Sequence, residues 1–257
     1  MFINVNRKKI FIVSFFWFFL FFLLKRVYCK LSQSCPLKTE IVHLTIPEGK
    51  NIKQTANIIA KKINIDKTKF INIAKSKNLE GYLMPETYFI KNTINEEQII
   101  KKMFNEFKNK ITPNMYKRAK NLKIKFKDII ILASIIEKES AKPEERAKIS
   151  AVFYNRLNNK IKLQSCATVL YAIGVNKSKL TIKDVKINSP YNTYKYFGLP
   201  PGPICSPGIA SINAALYPTK SNDFFFVSTG HGTHLFAKSF NEHKKNKQIA
   251  RKINKIK

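Results

Sequence analysis

At 257 residues, 44% of them hydrophobic, the chain is long enough for one large domain or two smaller ones with real cores, and too apolar to be disordered. Its 47 Lys and Arg against 16 Asp and Glu give a formal charge of +31. The basic residues are scattered among Ile, Asn and Phe, which reads as compositional drift on solvated surfaces, with an anionic partner as the alternative; no RNA- or DNA-binding motif is present, which argues against nucleic acid.

In chain order, the first predicted element is "IFIVSFFWFFLFFLL", Ile10 to Leu24, free of charge and set between Lys8-Lys9 and Lys25-Arg26. It is shorter than the ~20 residues of a full span. No small-residue cleavage site follows, and flanking basic side chains can snorkel, so residues 1–30 read as a short stub and an uncleaved membrane anchor. Basic residues on both sides leave its orientation open. Cys29, Cys35, Cys166 and Cys205 show no paired or metal-binding spacing and read as buried or incidental thiols.

Residues 38–92 read as a small α+β unit: a strand over Ile41 to Ile46, a Pro-Glu-Gly turn, and a helix carrying Ile52, Ala56, Ile59 and Ile63. A second helix over Lys67 to Lys75 and the aromatic, β-prone "GYLMPETYFI" complete it, with Glu86 as a structural turn residue. Residues 93–257 are helix-rich. Ile99, Met103, Phe107 and Ile111 form one helical stripe, and Phe126 to Ser140 is apolar nearly all round, hence central. Pro143 opens the next helix, which presents Ile149, Val152, Phe153 and Arg156 on one side. "NSPYNTYKYFGLPPGPICSPG" is a long loop of the kind that carries function. "DFFFVSTGHGTHLFAKSF" reads as two strands around a Gly-His-Gly turn, and a basic helix closes the chain. The fold class is α+β, with a short antiparallel sheet in the larger domain.

Two carboxylates stand at the end of the most apolar helix. At 100° per residue, Glu137 and Glu139 lie on different faces; Glu139 follows the stripe of Leu132, Ile135 and Ile136, while Glu137 falls at its flank. Burial among apolar side chains raises a carboxyl pKa and makes Glu139 the candidate general acid. The competing reading is that Glu139 pairs with Arg146 or Arg156 and ties two helices together. His231 and His234 lack a third nearby ligand, so no metal and no cofactor is expected.

The words "ASIIEKES…ER…VFYNRL…LQ…TV", "SPYNTY…GLPPGPI" with "SPG", and "FFFV…G.H.F" resemble the endolytic murein transglycosylases, the YceG-like membrane enzymes, in order from about Ile41 to Gln248. The resemblance implies a LysM-like unit over 38–92 and a catalytic domain over 93–257. It also implies a single anchor in the cytoplasmic (inner) membrane, with the body on the periplasmic side. It implies cleavage of the β-1,4 bond between N-acetylmuramic acid and N-acetylglucosamine within peptidoglycan glycan strands, without water, leaving 1,6-anhydro ends. Nascent strands near the peptidoglycan synthases would be the site of action. The family's catalytic glutamate falls on Glu139. Its other motif positions fall on Asn155, Arg156, Gln164 and Thr168, and on Tyr191, Asn192, Thr193 and Tyr194. Of these, all but Arg156, read as neutralising a glutamate, are expected to bind substrate. For the Tyr-Asn-Thr-Tyr segment, loop packing by side-chain-to-backbone hydrogen bonds is the structural alternative. One departure stands out: the family's Leu-Gln-Thr-Asp-Pro-Thr-Val reads Leu163-Gln-Ser-Cys-Ala-Thr-Val here, with Cys166 in place of Asp and Ala167 in place of Pro. That substitution keeps a second reading open, a catalytically weakened wall-binding protein.

Overall fold

A computed structural model describes residues 39–140, 142–175, 177 and 180–255. The anchor expected over residues 1–30, with Cys29 and Cys35, lies outside the described residues; among those described, no helix is long and apolar enough to cross a membrane. From Ile41 onward the chain folds as one unit.

Strand β1 (Ile41–Thr45) pairs antiparallel with β2 (Thr87–Lys91), in a register that sets Leu44 opposite Tyr88 and Val42 opposite Ile90. The period of two puts Leu44, Tyr88 and Ile90 inside and leaves Ile41 and Phe89 in solvent. Helices α1 (Ile52–Ala60) and α2 (Lys67–Ser76) lie between the two strands in sequence. A capping box between Asn51 and Gln54 starts α1, and the Asp66 carboxylate caps α2 through the Thr68 and Lys69 amides. Their apolar faces join the sheet in a first cluster that includes Leu44, Ile59, Phe70 and Met103.

Helix α3 (Glu96–Lys110) supplies both halves of the body. Met103 belongs to the first cluster and Phe107, one turn on, to a second built around α5. After α4 (Pro113–Asn121), helix α5 (Phe126–Glu139) runs through the centre, with Ile129 to Ile136 buried without interruption. Six of those eight residues are Ile or Leu, each worth roughly 1.5–3 kcal/mol of burial, so the central position follows from composition. Helix α6 (Pro143–Asn158) packs beside it and buries the expected Ile149, Val152, Phe153 and Arg156.

The second half adds α7 (Cys166–Ile173), the short α8 (Ile182–Val185) and α9 (Ile209–Leu216), then a hairpin of β3 (Phe225–Ser228) and β4 (His234–Ala237), and α10 (Phe240–Lys255). The hairpin sets Phe226 opposite Phe236 and Ser228 opposite His234. Both sheets are two-stranded and antiparallel, consistent with the α+β expectation. Helix α9, which packs against α5 and α6, is not expected from the sequence: its eight residues follow directly on the Pro- and Gly-rich loop, and Ile209, Ile212 and Leu216 make too short a stripe to stand out. Two backbone features join the halves. Gly81 (φ +84°) packs so closely on Pro203 that a Cβ there would lie 2.5 Å from the proline Cβ. Gly49 N–H donates to Ser206 O, and Ser206 N–H to Lys50 O, both at 2.9 Å, in an isolated antiparallel bridge.

Candidate active site

The last turn of α5 carries both glutamates, and their partners separate their roles. Glu137 accepts from Arg146 Nη2 at 3.2 Å, Gly208 N–H at 3.0 Å and Ser211 Oγ at 2.8 Å. Arg146 also reaches Glu48 at 3.4 Å. Glu137 therefore joins α5, α6 and the start of α9. The flank position expected for it is corrected: its side chain is only 6% exposed. The chain turns back between α5 and α6 and lays Arg146 over Glu137, so the helix-tying ion pair belongs to Glu137. Among the described residues Arg156 reaches no carboxylate; it donates to the carbonyls of Phe224 (2.6 Å), Lys162 (3.1 Å) and Leu163 (3.0 Å) and to Gln164 Oε1 (3.3 Å). Its expected role of neutralising a glutamate is thus replaced by that of holding three chain segments together.

Glu139 has a different setting. Its Oε1 accepts from Ser165 Oγ at 2.5 Å, and the Ala167 N–H donates to the same carboxyl. The residue keeps some exposed surface, yet the carboxyl is enclosed densely enough for burial to dominate. Burial pushes its pKa above the ordinary carboxylate value, against smaller downward pulls from Ser165, Ala167, His234 and Lys138. Ser165 is itself fixed, as the residue before α7, by its N–H donating to Thr193 Oγ1 at 3.0 Å.

Two cavities meet at this carboxyl. One, of about 580 Å³, lies toward α1 and is lined by Asn51, Gln54, Glu80, Lys138 and Tyr171. The other, of about 440 Å³, lies toward the β3–β4 hairpin and is lined by Phe153, Gln164, Tyr194, Phe226 and His234. Glu139 and Cys166 line both. The Cys166 thiol sits 3.1 Å from Tyr194 Oη, and burial pushes its pKa up. His234 is oriented by Glu145, which takes its Nδ1 at 2.6 Å and its backbone N–H at 3.0 Å.

The seven residues expected to bind substrate divide. Gln164 and Tyr194 line the hairpin-side cavity with Glu139. Gln164 holds a left-handed backbone (φ +53°), fixed by its N–H donating to Thr193 O. Tyr191 lies elsewhere, against Tyr171 and Gly202, in a third cavity. Asn155, Thr168, Asn192 and Thr193 are corrected to scaffold. Asn155 gives its amide hydrogens to Ser221 O and Asp223 O, both at 2.8 Å. Asn192, fully buried, donates to Val185 O and Ile187 O and accepts from Tyr194 N–H. The buried Thr168 and Thr193 hydroxyls bond each other at 2.9 Å, and Thr168 also bonds Ser165 O. Asn192, Thr168 and Thr193 are buried and bonded within the protein, and the Asn155 amide hydrogens are spent on backbone carbonyls, so these four act on the loops rather than on a sugar. Sequence reading missed Ser165, Glu145 and Glu80. Ser165 could have been found as a cap-type residue just before a helix; Glu145 reads from sequence only as a first-turn acid of α6, and Glu80 carried no local signal.

The sequence profile of the YceG-like family matches residues 24–249. The chain is 37% identical over 231 residues to a Bacillus subtilis (strain 168) protein named endolytic murein transglycosylase, covering 80% of this chain and 64% of that protein. It is likewise 37% identical over 182 residues to the protein of the same name from Streptococcus pneumoniae serotype 2, covering 68% of this chain and 32% of that one. The chain thus spans less than two thirds of the length of these relatives. A crystal structure of a YceG-like protein from Listeria monocytogenes superposes with a TM-score of 0.73 at 38% identity, over 79% of this chain and 75% of that one.

Proposed function

Because this chain belongs to the YceG-like family, we propose that it is an endolytic lytic transglycosylase of peptidoglycan. It cuts the β-1,4 bond between N-acetylmuramic acid and N-acetylglucosamine and leaves a 1,6-anhydro end. The observation that carries this reading is Glu139: a carboxyl with no cation bonded to it among the described residues, raised in pKa by burial, at the junction of two cavities.

In that reading Glu139 enters protonated and gives its proton to the glycosidic oxygen as the C1–O bond breaks. The resulting carboxylate is held by the Ser165 hydroxyl and the Ala167 N–H. It then takes the proton of the muramyl 6-hydroxyl as that oxygen closes on C1, which restores the acid. The substrate supplies the attacking oxygen, so a second catalytic carboxylate of the kind a hydrolytic glycosidase uses is not needed. Cavities on both sides of Glu139 suit a strand that continues past the cut in both directions. Gln164 and Tyr194 meet the sugars on the hairpin side. Ile10 to Leu24 anchors the chain in the inner membrane with the body on the periplasmic side, and the 38–92 unit acts as a LysM-like wall contact. The enzyme would trim nascent strands near the peptidoglycan synthases.

The test is muropeptide analysis of peptidoglycan digested by the purified chain, beside its Glu139→Gln variant. Internal cleavage with anhydro ends, lost in Glu139→Gln, supports the reading. A folded protein that makes no anhydro product supports the alternative of a weakened wall-binding protein, which Cys166 at the cavity junction favours.

A further inference from the structure

Glu80 plays no part in the mechanism above, although it lines two cavities. It shares the 580 Å³ cavity with Glu139. It also lines an adjoining cavity of about 470 Å³ that Glu139 does not reach, bounded by Tyr82, Tyr171, Tyr191, Gly202 and Pro203. Ile52, Lys75, Glu80 and Tyr171 belong to both, so the groove runs on from the acid past Glu80 to Tyr191.

The far end of this groove is held by several contacts. Glu80 accepts from Ile52 N–H at 3.1 Å, from Tyr171 Oη at 3.2 Å and from the Gly81 N–H. The Ile52 N–H also reaches the second oxygen at 3.4 Å, and the carboxyl still lines both cavities, within reach of a ligand in either. Burial pushes this carboxyl up to about 7, which lets it donate or accept near neutrality. The Tyr171 and Tyr191 rings lie 4.9 Å apart at 48°, with their hydroxyls bonded to each other. Tyr191 is seated by a glycine: a Cβ on Gly202 would stand 2.9 Å from Tyr191 Oη. Aromatic rings, phenol hydroxyls and a carboxyl around one cavity match the apolar face and polar rim of a pyranose.

We propose that Glu80, Tyr171 and Tyr191 form a remote subsite for an N-acetylhexosamine unit of the glycan strand, away from the bond that Glu139 cuts. The assignment rests on the cleavage reading and extends it: affinity for the strand depends on its length. Glu80 takes a hydroxyl or acetamido N–H of the sugar, and the tyrosine pair takes its ring.

The test uses the full chain carrying Glu139→Gln, so that ligand is not consumed, and titrates β-1,4-linked N-acetylglucosamine trimer and hexamer by calorimetry. The hexamer is expected to bind about tenfold more tightly than the trimer. Adding Glu80→Ala or Tyr191→Ala should weaken hexamer binding by about tenfold, the loss of one sugar contact, and should weaken trimer binding by much less; Tyr191, which lines only the far cavity, carries the sharper contrast. Thermal unfolding shows whether each variant folds; if Glu80→Ala does not, Tyr191→Ala carries the test. The proposal is overturned if hexamer and trimer bind alike, if both variants weaken them equally, or if neither oligomer binds. A parent chain that still yields anhydro ends from peptidoglycan in any of those cases keeps the cleavage reading, and one that yields none removes it.

Discussion

Replacing Arg146 by Met keeps most of the aliphatic stem and removes the cation from the Glu137 carboxylate. That carboxylate belongs to a side chain only 6% exposed, and Arg146's own is 9% exposed. Glu137 would be left with the Gly208 N–H, the Ser211 hydroxyl and the neighbouring Glu48 carboxyl, already raised in pKa by burial and by Glu137, with the Arg146 cation gone. Removing one partner of a buried pair costs about 3–5 kcal/mol. The Glu48 contact adds less than ~1 kcal/mol, because that side chain is 45% exposed. For a body of this size each kcal/mol lowers Tm by roughly 2–4 °C, so Arg146→Met should lower it by roughly 6–20 °C at neutral pH, read by circular dichroism. The double variant Arg146→Met, Glu137→Gln removes the stranded charge as well and should recover more than half of that loss. Arg146 Nε finds no acceptor among the described residues, so the pair already carries an unmet polar group and the recovery should be substantial. A single variant within ~1 kcal/mol of the parent, or a double variant no better than the single, would refute the view that this pair clamps α5, α6 and α9.

Burial raises Glu80 from 4.5 to about 7, so the folded state holds that proton more tightly than the unfolded chain. Its stabilising contribution is full below the unfolded value and is lost as pH rises through about 7. Glu80→Gln cannot ionise, so its stability relative to the parent should rise by about 2 kcal/mol between roughly pH 5 and 8, and urea midpoints that keep a constant gap would count against this. Asn192→Ala removes three hydrogen bonds at a fully buried site and should cost about 2–4 kcal/mol; a loss below ~1 kcal/mol would contradict the scaffold role and return Asn192 to the substrate-binding role expected from sequence. Cys166→Asp places a second carboxylate at the junction with Glu139, and like charge raises a carboxyl pKa further. The acid then stays protonated to higher pH, so the alkaline limb of the pH–rate profile should move up; an unmoved or lowered limb contradicts the placement of Cys166.

The buried stripe of α3 and the all-round apolar α5 were legible because periodicity reports which face is inside. The Phe-rich hairpin was legible for a related reason: the β-branched and aromatic runs were separated by a turn that only glycines suit. Helix α9 was not, since its eight residues sit directly behind the Pro-Gly loop and give Ile209, Ile212 and Leu216 too short a run to reveal a period. Within the site, Glu139 was found by its helical face. Glu137 was misplaced because its partners come from other segments, Arg146 from α6 and Ser211 from α9. The amides of Asn155 and Asn192 show the deeper limit. An amide that binds sugar and one that binds backbone are the same residue in a sequence; only the approach of the Ser221–Asp223 and Val185–Ile187 carbonyls decides between them. Glu80 was invisible for the same reason, its cavity being assembled from α1, α7 and the loop at Gly202.

The backbone bridge between Lys50 and Ser206 also has a meaning in time. It joins an early segment of the body to a late one, and the anchoring amide at Gly208 lies just beyond it. Closing so long a loop adds little at equilibrium, because the entropy grows only with the logarithm of its length, but the closure must await synthesis of its far end. A chain emerging from the ribosome therefore carries Glu139 well before the walls around it exist. The enclosure of that carboxyl is thus completed late, when the segment bearing Ser206 and the β3–β4 hairpin behind it arrive and dock.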